Sequence, residues 1–202
     1  MKILHYFIIA ISIVAVVLGI LILPMMIQPK GTGFTNGEDA TLVLGQPNFT
    51  THMSNTNATA TGSGLGMAFE LPGLAFDSSG NLWVVDGINS RILMYPKGTG
   101  FTNGESATLV LGQPNFTTFM PDTSGTGLRH PLGLAFDSSG NLWVADGNSR
   151  VLMYPKGAGF TNGEDATLVL GQSSFTSFIQ DASATGLRYP IGLAFDSSGN
   201  LW

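Results

Sequence analysis

Two aspartate–arginine pairs, Asp86 with Arg91 and Asp146 with Arg150, stand at the same place in a recurring phrase of this chain. Lining a channel, such a pair would offer a guanidinium fork to a carboxylate. Inside a hairpin turn the aspartate instead caps the turn, and the arginine pairs with it or with a neighbouring module. Both copies carry the pair, so the structural role is the expectation. The phrase also contains Asp77, Asp137 and Asp196, each followed by Ser-Ser-Gly-Asn. Calcium takes about six to eight oxygens; this loop offers one carboxylate and no following Glu, and it reads as a turn. Lys30, Lys97 and Lys156 each open a Lys-Gly-x-Gly-Phe-Thr-Asn-Gly stretch. A dinucleotide fingerprint would need Gly where Asn36 stands and a helix behind it, so the stretch reads as a connector. His130 is the one histidine in an intact repeat, its counterpart being Tyr189, while His52 and His5 lie upstream. Scattered histidines do not make an acid–base set. No catalytic, cofactor or metal-binding residue is assigned from the sequence, and no cofactor is expected.

These residues are spaced by a repeat. Pro72, Pro131 and Pro190 are 59 residues apart, and GLAFDSSGNLW begins at Gly73, Gly133 and Gly192. Each unit holds four short apolar runs, such as GLAF, NLWVAD, RVLMYP and ATLVLG. Their length and their Val, Leu, Phe, Trp and Tyr content point to strands. In Asn141–Asp146, Leu142 and Val144 face one way and Trp143 and Ala145 the other, so both faces need cover. The runs are joined by turns too short for a parallel crossover, with Asp to begin each turn and Gly to close it. Antiparallel meanders with two apolar faces must stack on copies of themselves, and blades around an axis do so. The expectation is an all-β chain of four-stranded antiparallel β-propeller blades over 30–202. Three-strand sets fall at 72–96, 131–155 and 190–202, the last cut short, and fourth strands near 40–46, 107–113 and 166–172.

HPLGLAFDSSGNLWVADGNSRVLMYP, residues 130–155, resembles an NHL repeat: apolar–Pro–x–Gly, Asp…Gly-Asn, an aromatic-apolar strand ending in Asp, then Asn-x-Arg. Residues 71–96 follow the pattern with one residue lost before Gly73 and Ile88 gained, and residues 189–202 follow it to the chain end. The resemblance implies a β-propeller. A little over two blades are present where rings take about four to eight, so the chain is expected to be part of a longer protein.

The first thirty residues are of another kind. From Phe7 to Ile27 there are 21 residues without a charge, and about 20 helical residues span a bilayer. No small-x-small cleavage site follows. The expectation is a short cytoplasmic head (1–6), a transmembrane signal-anchor helix (7–27) and an extracytoplasmic remainder, secreted if the segment is cleaved. Sequons at Asn48, Asn57 and Asn115 are compatible with glycosylation there. Residues 31–202 hold six Lys/Arg against all thirteen Asp/Glu, a net of −7, which disfavours nucleic acid. The absence of cysteine excludes disulfides and thiolate chemistry.

Variation between repeats sits in the loop leading into each next unit, and such loops carry function. Phe119, Met120, Phe178 and Ile179 in these loops are expected to tuck between blades. The functional expectation is a membrane-anchored binding or scaffold module for protein or glycan partners, more a binder than an enzyme. The alternative is a propeller enzyme of lyase or lactonase type.

Overall fold

A computed structural model describes residues 39–44, 48–50, 73–181 and 183–202. Every regular element among them is a strand. Sheet 1 holds β1 (Leu74–Phe76), β2 (Leu82–Asp86), β3 (Arg91–Tyr95) and β4 (Leu109–Leu111). Sheet 2 holds β5 (Gly133–Phe136), β6 (Leu142–Asp146), β7 (Arg150–Tyr154) and β8 (Leu168–Leu170). Each is a four-stranded antiparallel meander in sequence order, as in propeller blades. Segments 1–38, including the apolar run 7–27, and 51–72, including Asn57 and His52, lie outside the described residues. Among the described residues no helix is long and apolar enough to cross a membrane.

The turns explain the meander. Asp77 Oδ1 accepts the N–H groups of Ser79 (2.9 Å) and Asn81 (3.0 Å), and Oδ2 accepts Asn81 Nδ2 (2.9 Å) and Trp83 Nε1 (3.0 Å). Asp137 is bound the same way by Ser139, Asn141 and Trp143. Gly80 and Gly140 close these turns at φ +83° and +84°, where a Cβ is disfavoured. Asn81 Oδ1 then accepts the Lys97 N–H at 3.0 Å, tying the β1–β2 turn to the connector that follows β3.

Inner strands of successive sheets pack through glycine. The Gly73 N–H donates to Leu132 O at 2.9 Å. A Cβ on Gly73 would lie 3.0 Å from Gly133 Cα, and one on Gly133 would lie 2.3 Å from Ile191 O. Farther out, Trp83 packs edge-on against Phe136 (5.7 Å between centroids) and Phe160 (4.8 Å) of the next unit. That contact leaves Trp83 1% exposed within a cluster that also holds Leu111, Leu128, Leu142, Leu152 and Tyr154. Sheet 1 thus covers one face of sheet 2, and Leu134 is 7% exposed while its counterpart Leu74 is 63% exposed.

Three expectations change. Residues 39–44 carry no strand; the Val43 backbone is held by the Asn103–Gly104 connector instead. The fourth strands near 107–113 and 166–172 are three residues each, 109–111 and 168–170, since Gly112 and Gly171 turn the chain at φ +81° and +80°. Within 190–202 there is a single antiparallel bridge, Phe195 to Leu201, with no third strand beside it.

Candidate functional site: the long-loop rim

The register gathers the loops at two rims. The β2–β3 turn Asp86–Arg91, the end of β4 opposite Ile92, and the start of β5 opposite Ala145 share one rim. Segments 112–132, 171–181 and 183–191 run along it, making it the long-loop rim. The Asp77 and Asp137 turns and the Lys97 and Lys156 connectors occupy the opposite rim.

The aspartate–arginine pairs form the floor of the long-loop rim. Arg91 Nε meets Asp86 Oδ2 at 2.7 Å and Arg150 Nε meets Asp146 Oδ2 at 2.6 Å, all four side chains fully buried. Arg150 donates onward to the carbonyls of Thr123 (2.8 Å), Ser124 (3.2 Å), Gly127 (2.9 Å) and Phe175. Arg91 reaches Phe116 O at 2.6 Å. Asp146 also accepts the Arg129 N–H at 2.7 Å and Asn148 Nδ2 at 3.1 Å. Burial raises the Asp146 carboxyl above its ordinary range, with Arg150, the Arg129 amide and Asn148 opposing it. Burial, with Asp146 adding to it, also pushes the Tyr154 phenol well up. With its fork spent on carbonyls, Arg150 braces the loop entering its sheet and the loop leaving it; it does not face a ligand.

A glutamine completes the brace. Gln113 Nε2 donates to Ser90 O (3.0 Å) and Met120 O (2.8 Å). Gln172 Nε2 donates likewise to Ser149 O and Ile179 O, and its Oε1 accepts the Ile179 N–H at 2.9 Å. These bonds hold the loops in one shape and turn Phe119, Met120, Phe178 and Ile179 outward. All four are exposed, Met120 to 68%. Tucking between sheets is therefore corrected: the space between the two sheets is filled by Leu128 beneath Gly112.

At the end of each long loop stand Arg129-His130 and Arg188-Tyr189, all four side chains solvent-facing. The Arg129 guanidinium lies 5.5 Å from the centroid of the Phe178 ring. Asn115 and Asn48 are exposed, and each accepts both the N–H and the hydroxyl of the threonine two residues on, Thr117 and Thr50. Ser174 replaces the asparagine in the next copy.

On the opposite rim all four donors occupy each turn carboxylate, so Asp77 and Asp137 act in folding the hairpin. Burial alone would raise these carboxyls, yet the indole, amide and backbone donors together hold them below the usual range. Asp196 is drawn down to about 2 by Asn200 first and Trp202 after it. The Lys97 and Lys156 stretches connect third to fourth strands, as expected, and also clasp the preceding unit. Asn162 Oδ1 accepts the Val110 N–H (2.9 Å) while the Gly163 N–H returns to Val110 O (3.0 Å). Asn103 and Gly104 hold Val43 in the same way. The signal was the recurring Thr-Asn-Gly, but its partner lies in the preceding unit.

A cavity of about 560 Å³ is lined by Val151, Val169, Leu170, Leu187, Leu201 and Trp202. Val151, Leu170 and Leu187 are the repeat counterparts of Ile92, Leu111 and Leu128, which are buried in the cluster between the sheets. It is a blade-packing surface. Among the described residues no group of three or more His, Asp or Glu side chains could hold a metal ion.

No protein-family model and no curated protein matches the chain. Among solved structures it is similar to a streptogramin B lyase, at 17% identity and TM-score 0.40, covering 64% of this chain and 32% of that one. It is similar to virginiamycin B lyase from Staphylococcus aureus, at 17% and 0.39, covering 69% and 36%. It is also similar to luciferin-regenerating enzyme, at 18% and 0.38, covering 66% and 34%. The chain thus spans about a third of the length of each.

Proposed function

We propose that this chain is an NHL-type propeller module, held outside the membrane by residues 7–27, that binds protein or glycan partners on its long-loop rim. One observation carries the reading: buried Arg150 and the Gln113 and Gln172 amides brace the rim loops while four large apolar side chains point outward. Exposed apolar groups on a braced loop lose little conformational freedom on binding, and clustered exposure of this kind marks contact surfaces. The anchor is supported by the charge-free run, and the extracytoplasmic side by the accessible Asn115 and Asn48 sequons. The test uses the full chain in detergent as bait against membrane and cell-surface fractions, beside a Phe119→Ser, Met120→Ser, Phe178→Ser, Ile179→Ser variant. A partner kept by the wild type and lost by the variant supports the reading, and equal recovery from both overturns it.

A second reading, a lyase- or lactonase-type enzyme, draws on His130, whose exposed ring stands where inner strand β5 begins. It requires acid–base groups from several blades to converge at that mouth. Turnover abolished by His130→Ala with the fold retained would favour it.

A further inference from the structure

We propose that Arg129-His130 and Arg188-Tyr189 form a binding site for a saccharide bearing carboxylates, a polyuronate. The proposal deepens the binding-module reading and rests on it.

The backbone is the first observation. His130 and Tyr189 sit at φ +45° and +49°, each directly before a proline, Pro131 and Pro190. Positive φ is unfavourable for any residue with a Cβ, and a following proline pushes its predecessor towards extended conformations. Glycine is what this backbone asks for. The turn is held by main-chain donors: the His130 N–H to Ser90 Oγ at 3.4 Å and the Tyr189 N–H to Ser149 Oγ at 3.5 Å. Neither ring contributes to those bonds, and both rings face solvent. Strained side chains retained at exposed positions point to a use for the side chain.

Charge is the second. Among the described residues, Arg91 and Arg150 are consumed in buried pairs, and Lys97 and Lys156 belong to the opposite rim. The exposed cations of the long-loop rim are Arg129 and Arg188, each immediately before a strained ring. Neither forms an ion pair among the described residues. The neighbouring carboxylates Asp122 and Asp181 are turned onto Ser124 and Ser183, and Phe178 steadies the Arg129 guanidinium.

Placement is the third. A Cβ on Gly133 would lie 3.2 Å from Gly192 Cα, so the two inner segments run side by side and the two Arg-ring dipeptides head adjacent ones. A guanidinium fork matches a carboxylate, and an aromatic face suits the apolar C–H face of a pyranose. The same pair of groups, repeated one blade along an open rim, fits a ligand that itself repeats.

The experiment titrates the full chain in detergent with trigalacturonate, neutral galactotriose and an acidic tripeptide. Trigalacturonate is expected to saturate, with the other two binding at least about tenfold more weakly, the loss set by charge-assisted hydrogen bonds. Arg129→Gln and Arg188→Gln should each weaken trigalacturonate about tenfold. His130→Gly and Tyr189→Gly should raise the thermal midpoint while weakening binding, a pairing that a merely structural ring would not give. Equal binding of galactotriose, preference for the acidic peptide, indifference to the arginine variants, or a lowered midpoint in the glycine variants overturns the site. If trigalacturonate fails while the wild type still retains a partner that the four-serine variant loses, the site falls and the binding module stands. If both fail, both fall.

Discussion

Asn162 Oδ1 accepts the N–H of Val110 across 52 residues of chain, at 2.9 Å. An asparagine in the connector of one sheet therefore supplies the hydrogen bond that the outermost strand of the preceding sheet needs at its open edge. Edge strands otherwise present unpaired N–H and C=O groups.

Asn162→Ala should destabilise the chain by about 1–2 kcal/mol, the cost of leaving a part-buried N–H unpaired. Asn103→Ala, whose hydrogen bond to Val43 is solvent-exposed, should cost less because water replaces the acceptor. Hydrogen exchange at the Val110 amide checks this directly. Unchanged protection in Asn162→Ala would refute the clasp.

Arg150→Met removes one partner of a fully buried pair and should cost about 3–5 kcal/mol, because Asp146 is left charged and unpaired. Adding Asp146→Asn should recover part of that loss. Denaturant midpoints of wild type, single and double variants decide it, and a double variant worse than the single would contradict the account.

Gly133→Ala should be strongly destabilising, since its Cβ would meet Ile191 O at 2.3 Å, whereas the Cβ of Gly192→Ala meets nothing within 4 Å. The second variant should stay within about 0.5 kcal/mol of wild type, as ordinary surface changes do. Thermal midpoints of the pair measure the contrast, and equal loss in both would show that the inner strands are not in contact.

Stability should fall in acid through the turn aspartates. Their folded-state carboxyls lie below the usual range, Asp196 at about 2. A depressed acid contributes fully above its unfolded value of about 3.9 and loses that contribution as pH falls through the folded value. Asp137→Asn should therefore be less stable than wild type near neutrality, and the gap should close as pH falls below about 4. Urea midpoints at stepped pH test it, and a gap independent of pH would count against ionised Asp137 as the acceptor.

The hairpins were legible because each rests on neighbours in sequence. Asp77 meets Ser79, Asn81 and Trp83 within six residues, so type and spacing alone dictate the turn. Braces and clasps were not legible. Arg150 ends on Phe175, and Gln113 on Ser90, partners set only once the rim is assembled. The outward Phe119 and Met120 were misjudged for the same reason: the gap they were expected to fill belongs to Leu128.

Trp83, Trp143 and Trp202 occupy one position of the repeat, and their sequence settles that each will donate its indole N–H to its own turn aspartate. Their burial was decided elsewhere. Trp83 lies under Phe136 and Phe160 and is 1% exposed, Trp143 has Phe195 beside it and is part-buried, and Trp202 is 76% exposed. Hydrogen bonds between near neighbours are written into residue order, whereas the removal of apolar surface from water depends on which other surface arrives to cover it.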